Sequence, residues 1–584
     1  MKNVCSLKDV HLTWHKKARG KGERERERGE KITAVMSAPR RRQQYKASLS
    51  GKGSGLLRRR REESQAVSKT KRELVLRTKR FKYSSSQNQN QNQQQQKLEE
   101  DEEEEAEEAD DWRQVIGTLV NELRSVQLSR SQGGHSSSIE ANGVVVKKQR
   151  ELEYLRRLRK AVSSSYANAA VLEEAVRCGC VQVVAPYLHG GADPELALES
   201  AWICSNVATN TADQQAFEQL LQVTHLLLMH VEASSNDVVA EQCCTCIGNI
   251  AAESETVRDT LLRQNAMQSL YKMFLKGLKG QAIGVTAAWA ISNLVRGSFS
   301  RSLEILASFP DVEKALVQAF CGENRMLAIE VAWILTYLSA GPSEHLAKVV
   351  NQDLVSVLIE KLGAWVAVDF ESLDDDSVML LVPVLRTFGN ICCEGSDAAR
   401  LQIIQNPAQT RQALAVVCAC LRSRRRLLQK DAAFLLSNLT ALRGPECVQL
   451  VKSTPNLVPA LYALLNSAMF DIRKEIAYSV ANICAGGGGM DGDELALKDS
   501  TAHGSFRAFL ELIETRDPEV VRLALQFFEM ALRVLPESIS LLEESNNGME
   551  LIENVQYTSR NQELSRMASY IVDTHFAEVY DNCM

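Results

Sequence analysis

Along most of the chain, apolar residues recur at i, i+3, i+4 and i+7, the spacing that lines one face of an α-helix. From Trp112 onward these runs are interrupted at short intervals by Gly, Pro, Asn and Asp, so the pattern predicts short, stacked helices. A longer rhythm lies on top of it. The segments SAWICSN, CTCIGN, AAWAISN, VAWILTY, LRTFGN, AAFLLSN and IAYSVAN each close on Asn or Tyr. Those closing positions are Asn206, Asn249, Asn293, Tyr337, Asn390, Asn438 and Asn482, separated by 43, 44, 44, 53, 48 and 44 residues. The longest interval contains Asp369 to Asp376, which predicts an acidic surface loop.

Periods of roughly 40 to 47 residues mark HEAT or armadillo solenoids, in which each unit is two or three helices that cannot bury their apolar faces alone. From about residue 150 to the end there is room for roughly ten such units. Composition agrees: 12 Pro, 31 Gly and 6% aromatic residues in 584 read as predominantly helical. The longest apolar stretches, such as Val223 to Val231, fall short of the roughly 20 residues that span a bilayer. No secretory signal is visible, and the 15 Cys lack disulfide spacing, which predicts a reduced compartment.

The net charge of -5 conceals an asymmetry. The first eighty or so residues are crowded with Lys and Arg, whereas Glu99 to Asp111 is almost wholly acidic. Residues 1–35 predict a disordered extension ending before a second methionine, Met36. Residues 36–82 form a basic segment, and 83–111 a Gln/Asn-rich, then acidic, linker that cannot bury enough apolar surface to fold. Residues 112–584 are the predicted solenoid.

In a helix, residues i and i+4 share a face, so Trp202 with Asn206, and Trp289 with Asn293, set a ring beside an amide. An Asn side chain carries one acceptor and two donors, enough to bond both the N–H and the C=O of an extended visiting backbone. The ring can flank a Lys stem, at roughly 0.5–2 kcal/mol per cation–π contact. A carboxylate one turn earlier, at Glu199, Glu241, Glu330, Asp431 or Glu475, can receive the basic head group. Together these positions predict a reader of extended basic peptides. Taken singly, a Trp in an apolar helix is more often core, an Asn near a helix end more often a cap, and a carboxylate equally often solvated surface. Seven recurrences of one pattern weigh against that for the rings and amides.

In the order of its repeat variants the chain resembles the importin-α family from Arg40 to Phe576. The matching units are Gly248-Asn249-Ile250, then Trp289 to Arg296, then Tyr337 in place of Asn, then Arg386-Thr387-Phe388-Gly389-Asn390, with Leu551 to Phe576 similar to the last repeat. The resemblance implies an all-α armadillo-repeat right-handed superhelical solenoid with a disordered basic N-terminal arm. It also implies a nuclear import adaptor that shuttles between cytoplasm and nucleus. Carried over by position, the major cargo groove would hold Trp202, Asn206, Glu241, Asn249, Glu253, Trp289, Asn293, Arg296, Glu330 and Trp333. The minor groove would hold Arg386, Asn390, Asp431, Phe434, Asn438, Glu475, Tyr478 and Asn482. Thr245 stands where the family has a Trp, and Phe434 and Tyr478 replace the minor-site Trp residues.

Arg41, Lys46, Arg58, Arg59, Arg60, Arg61, Lys69, Lys71, Arg72, Lys79 and Arg80 resemble the family's importin-β-binding segment. The implied partners are importin-β, cargo proteins with basic nuclear localisation signals, and an export carrier at the C-terminal repeats. No cofactor, metal, membrane or direct nucleic-acid contact is implied. No GxxxxGK[ST], HExxH or GxSxG motif appears, so the chain is not expected to be an enzyme. The Cys243, Cys244, Cys246 cluster points in several directions around its helix with no His nearby, as buried small side chains do. Two other readings remain. An importin-α-like armadillo scaffold in the cytoplasm would keep the fold without classical cargo import, and a basic-arm nucleic-acid binder would show steep salt dependence.

Overall fold

A computed structural model describes residues 112–131, 141–163, 169–210, 213–233, 236–296, 301–341, 347, 353–394, 396–486, 493–515, 517–545 and 547–576. The predicted extension 1–35, basic segment 36–82 and linker 83–111 lie outside the described residues, and with them every residue assigned above to importin-β binding. The described residues are helical with short connections, and their packing falls into two units, 112–402 and 403–576.

Both units are built the same way. One row of helices stacks repeat upon repeat and carries the Asn-closed segments. In the first unit the row runs through α1 (Ala141–Ala161), α2 (Pro194–Asn210), α3 (Asp237–Ala251), α4 (Ile283–Leu294), α5 (Arg325–Ser339) and α6 (Asp375–Glu394), each packed on the next. In the second it runs through α7 (Arg426–Leu439), α8 (Phe470–Cys484), α9 (Pro518–Val534) and α10 (Gln562–His575), again each on the next. A second row backs the first. Ala266–Gly277 packs on α4, Leu457–Ser467 on α8 and Ser505–Glu514 on α9. The row helices are sandwiched and therefore apolar nearly all round: every residue of α4 except Val285 is buried. Helix α6 is long and apolar enough to cross a bilayer by composition, but it packs against α5 and Leu354–Gly363 and most of it is buried.

The short link into the backing helix has a fixed chemistry. Asn265 (φ 63°), Asp311 (φ 55°), Asp353 (φ 56°) and Asn456 (φ 61°) each stand in the left-handed region immediately before a backing helix, as does Gly504 (φ 82°). Asn, Asp and Gly are the residues that enter this region at least cost. Several row helices begin differently, on side-chain caps: Asn236 Oδ1 accepts from Val238 N at 3.0 Å, and Asn324 Oδ1 from Leu327 N at 3.1 Å.

The 53-residue interval is taken up by a loop in which Asp369, Asp374, Asp375 and Asp376 are exposed while Leu373 is buried as an anchor. Bonds from Ser377 and from the Arg325 guanidinium at 2.8 Å hold the Asp374 carboxyl at about 2. Because the folded value is depressed, the loop contact is fully present above the ordinary carboxylate value near 4 and is lost as pH falls through about 2. Replacing Arg325 by Ala should move the Asp374 midpoint up toward the ordinary range in an NMR titration. An unchanged midpoint would mean that Ser377 alone sets it.

Candidate functional site

The closing Asn residues form a ladder along the row. Asn206 Nδ2 donates to Arg159 O (3.3 Å), Asn249 Nδ2 to Ser205 O (3.4 Å) and Ser205 Oγ (2.8 Å), and Asn293 Nδ2 to Gly248 O (3.0 Å). Beyond Tyr337 the ladder resumes with Asn390 Nδ2 donating to Thr336 O (3.3 Å) and Ser339 Oγ (3.1 Å). In the second unit Asn482 Nδ2 reaches Ser437 O (3.3 Å) and Thr440 Oγ1 (3.2 Å). From Asn249 onward each of these acceptor carbonyls belongs to the residue just before the preceding repeat's closing Asn or Tyr. Asn438 Nδ2 also bonds within its own helix, to Phe434 O at 3.0 Å.

The amide nitrogen is thus spent on the neighbouring helix, with two acceptors in reach at Asn249, Asn390 and Asn482, so fewer donors remain for a visitor than the side chain carries. The acceptors differ. Asn249 Oδ1 and Asn390 Oδ1 are buried and make no hydrogen bond. A buried acceptor left unmade costs about 1–3 kcal/mol, which an N–H from an extended chain would recover.

The small residue preceding each closing position is a signal that the sequence reading passed over. Ser205, Gly248, Ser292, Thr336, Gly389, Ser437 and Ala481 occupy it. A Cβ on Gly248 would meet the Trp289 ring, 2.7 Å from Cε3, so only Gly lets that indole lie flat on α3. Trp289 and Trp333 are buried, the latter tilted against Tyr337 with ring centroids 6.4 Å apart.

Trp202 is half-buried, and Arg159 of α1 sits 4.4 Å from its ring centroid. The same guanidinium bonds Glu199 Oε2 at 2.7 Å, while Arg156 Nε lies 3.4 Å from Oε1. Glu199, expected to receive a visitor's head group, is occupied by the chain's own arginines. The other carboxylates are also placed by their neighbours. Glu241 is half-buried and accepts from Thr286 Oγ1 at 2.7 Å, and Glu475 accepts from Ser437 Oγ. Glu330 and Asp431 are buried, as are Arg386, Phe434 and Tyr478, whereas Glu253 is exposed.

Arg296 donates to Ala252 O at 2.5 Å, and Arg258, which the sequence reading did not single out, to Ala251 O at 3.0 Å. Both guanidiniums therefore meet the carbonyl end of α3, where the helix dipole favours cations. Burial, with Arg296 beside it, pulls the Arg258 guanidinium down to about 10. Cys243, Cys244 and Cys246 are buried and outside any disulfide, and burial pushes Cys243 and Cys246 well up from their ordinary value.

No family model matches the chain. Individual relatives do. Importin subunit alpha-9 of Arabidopsis thaliana is 32% identical over 437 residues, covering 74% of this chain and 80% of the relative.

This chain belongs to the importin-α family.

Importin subunit alpha-2 of Oryza sativa subsp. japonica matches at 30% over 76% of this chain and 81% of its own length. At family level the importin-α role is that of a nuclear import adaptor. Among solved structures, the crystal structure of an engineered protein superposes with a TM-score of 0.60, covering 78% of this chain and 98% of that one at 20% identity, a likeness of fold alone. The positions expected to line a major groove lie on α2 to α5 or just past the ends of α3 and α4, all within the first unit. Of the residues expected at a minor groove, Arg386 and Asn390 are on α6, and the others are on α7 and α8.

Proposed function

We propose that this importin-α chain binds the basic nuclear localisation signals of cargo proteins along its Asn-bearing row and links them to importin-β through residues 36–82, shuttling between cytoplasm and nucleus. The observation that carries the reading is the ladder. It sets amides at repeat spacing along stacked helices, with the buried acceptors of Asn249 and Asn390 awaiting a donor. Of the flanking carboxylates, the exposed Glu253 is the one open to a Lys or Arg head group.

The basic arm enters this proposal as a tethered competitor: with no carrier bound, Lys79 to Lys82 occupies the cargo row, and importin-β removes it. The test is binding of a fluorescent Lys-rich localisation peptide to the full chain at physiological salt. Addition of importin-β should tighten binding by about tenfold, because a competitor in the same chain acts at an effective concentration of the order of millimolar. Replacing Arg58 to Arg61 by Ala should abolish importin-β binding without weakening cargo binding. A fall in cargo affinity after that change would contradict the tethered-competitor model.

One observation favours a second reading, an importin-α-like scaffold in the cytoplasm. Arg159 already fills the Trp202 face, and Thr245 offers no ring. Failure of the peptide to bind with or without importin-β would decide for that reading.

A further inference from the structure

The cations of α1 are of two kinds. Toward α2 they find carboxylates: Lys148 Nζ lies 2.7 Å from both Asp193 Oδ2 and Glu195 Oε2, and Arg156 and Arg159 share Glu199. Elsewhere on the helix they do not. Val146, Arg150, Glu153 and Arg157 follow one another at i, i+4, i+7 and i+11, which makes a single stripe with Lys147 at its edge, and all five are exposed. Among the described residues Lys147, Arg150 and Arg157 make no ion pair and no hydrogen bond. Val145 (55% exposed) and Val146 (57%) stand beside them in water. Helix α1 is also the first of its row. It packs on α2 and on Trp112–Ser131, and the stripe is the side that neither covers.

We propose that the acidic run Glu99 to Asp111 of the same chain docks on this stripe and closes the N-terminal end of the row. Eleven of its thirteen residues are Asp or Glu, and it ends one peptide bond before Trp112, the first residue of the helix that packs on α1. The run is therefore tethered beside the stripe. Its length suffices: thirteen extended residues reach about 43 Å, and the stripe from Val146 to Arg157 is about 16 Å long. Arg150 and Arg157 each offer a planar fork suited to bidentate pairing with a carboxylate. A single exposed ion pair contributes little, so docking needs several carboxylates at once, which a tethered run supplies at high effective concentration. Leu98, at the start of the run, is the side chain able to cover Val145 and Val146. The ends of a solenoid need a polar outer face. The docked run supplies one, and it stands between the cations of α1 and those of 36–82, which repel each other. The proposal is independent of the cargo reading, because no residue of the stripe is among the groove positions.

The experiment uses the full chain. A carbodiimide joins a Lys amine to a carboxylate in contact with it, and at physiological salt it should join Lys147 to residues of 99–111 within one chain; salt at about 1 M should cut the yield by about tenfold. Cleavage by a Glu-specific protease within 99–108 should be about fivefold slower in the unaltered chain than in Arg150→Glu with Arg157→Glu, since cleavage follows the undocked population. Arg150→Lys with Arg157→Lys should keep most of that protection, and circular dichroism confirms that each variant is folded. Replacing the acidic residues of 99–111 by Ser should uncover the stripe, so that an added Glu-rich peptide binds about tenfold more tightly than to the unaltered chain. Three results would overturn the assignment: no product at Lys147 while Lys69, Lys71, Lys79 or Lys82 is joined to the run, which would make the basic segment its partner; equal cleavage rates in the unaltered and Glu-substituted chains; or a Glu-rich peptide that binds the unaltered chain as tightly as the Ser-substituted one, which would make the stripe a site for another protein.

Discussion

Replacing Trp289 and Asn293 together by Ala is expected to lower the affinity for a Lys-rich localisation peptide by about a hundredfold, from the loss of one aromatic contact and the bonds of one amide, about 3 kcal/mol in total. The change has a second consequence. Trp289 is buried flat against Gly248, so its removal also opens a cavity, at a cost of about 3–5 kcal/mol. Asn293→Ala further removes the amide that donates to Gly248 O, loosening α4 from α3. Two controls separate recognition from folding. Trp289→Phe keeps most of the volume and a ring, and should retain most of the binding; Asn293→Asp keeps the shape but loses the donor, and should lose the clamp. Unchanged peptide binding in the folded double variant would remove the major-groove assignment.

The stacking of helices was legible because each repeat must present an apolar face to two neighbours, and such a demand writes itself as a period. The closing Asn or Tyr and the apolar run return together every 43 to 53 residues. What the Asn side chains do was only half legible. Position on a shared face says that Trp289 and Asn293 are neighbours, but not that the amide turns to the preceding helix, since that depends on a carbonyl some 45 residues earlier. The partition of the arginines was hidden for the same reason. Arg159 meets Trp202 and Glu199 across a helix–helix contact, so a face that looks vacant in the sequence is filled in the structure. The left-handed links at Asn265, Asp311, Asp353 and Asn456 were present in the sequence as loop residues, but their exact role follows only from the sharp turn into a backing helix.

A second large effect on stability is expected from Gly284→Ala. Gly284 in α4 faces Gly277 at the end of Ala266–Gly277, and the two backbones meet with nothing between them: a Cβ on Gly277 would lie 2.8 Å from Gly284 Cα, and one on Gly284 would strike the Gly277 backbone. Such a contact cannot be relieved by rotating a side chain, because the obstacle is main chain. The helices must separate, and separation strips packing from Phe274 and Leu270 as well. The cost should be about 3 kcal/mol or more, at the upper end for overpacking. Gly280, in the link between the same two helices, provides the comparison. Its φ of +83° disfavours Ala, but no atom stands in the way, so Gly280→Ala should cost only about 1–2 kcal/mol. In a solenoid each repeat is stabilised mainly by its neighbours, so Gly284→Ala should also uncouple the helices on either side and split or broaden the denaturation transition, whereas Gly280→Ala should only shift it. Because α4 carries Trp289 and Asn293, peptide binding should fall with the first substitution and survive the second. Equal midpoints for the two variants in urea would show that the close crossing of these helices is not what holds the row together at this point.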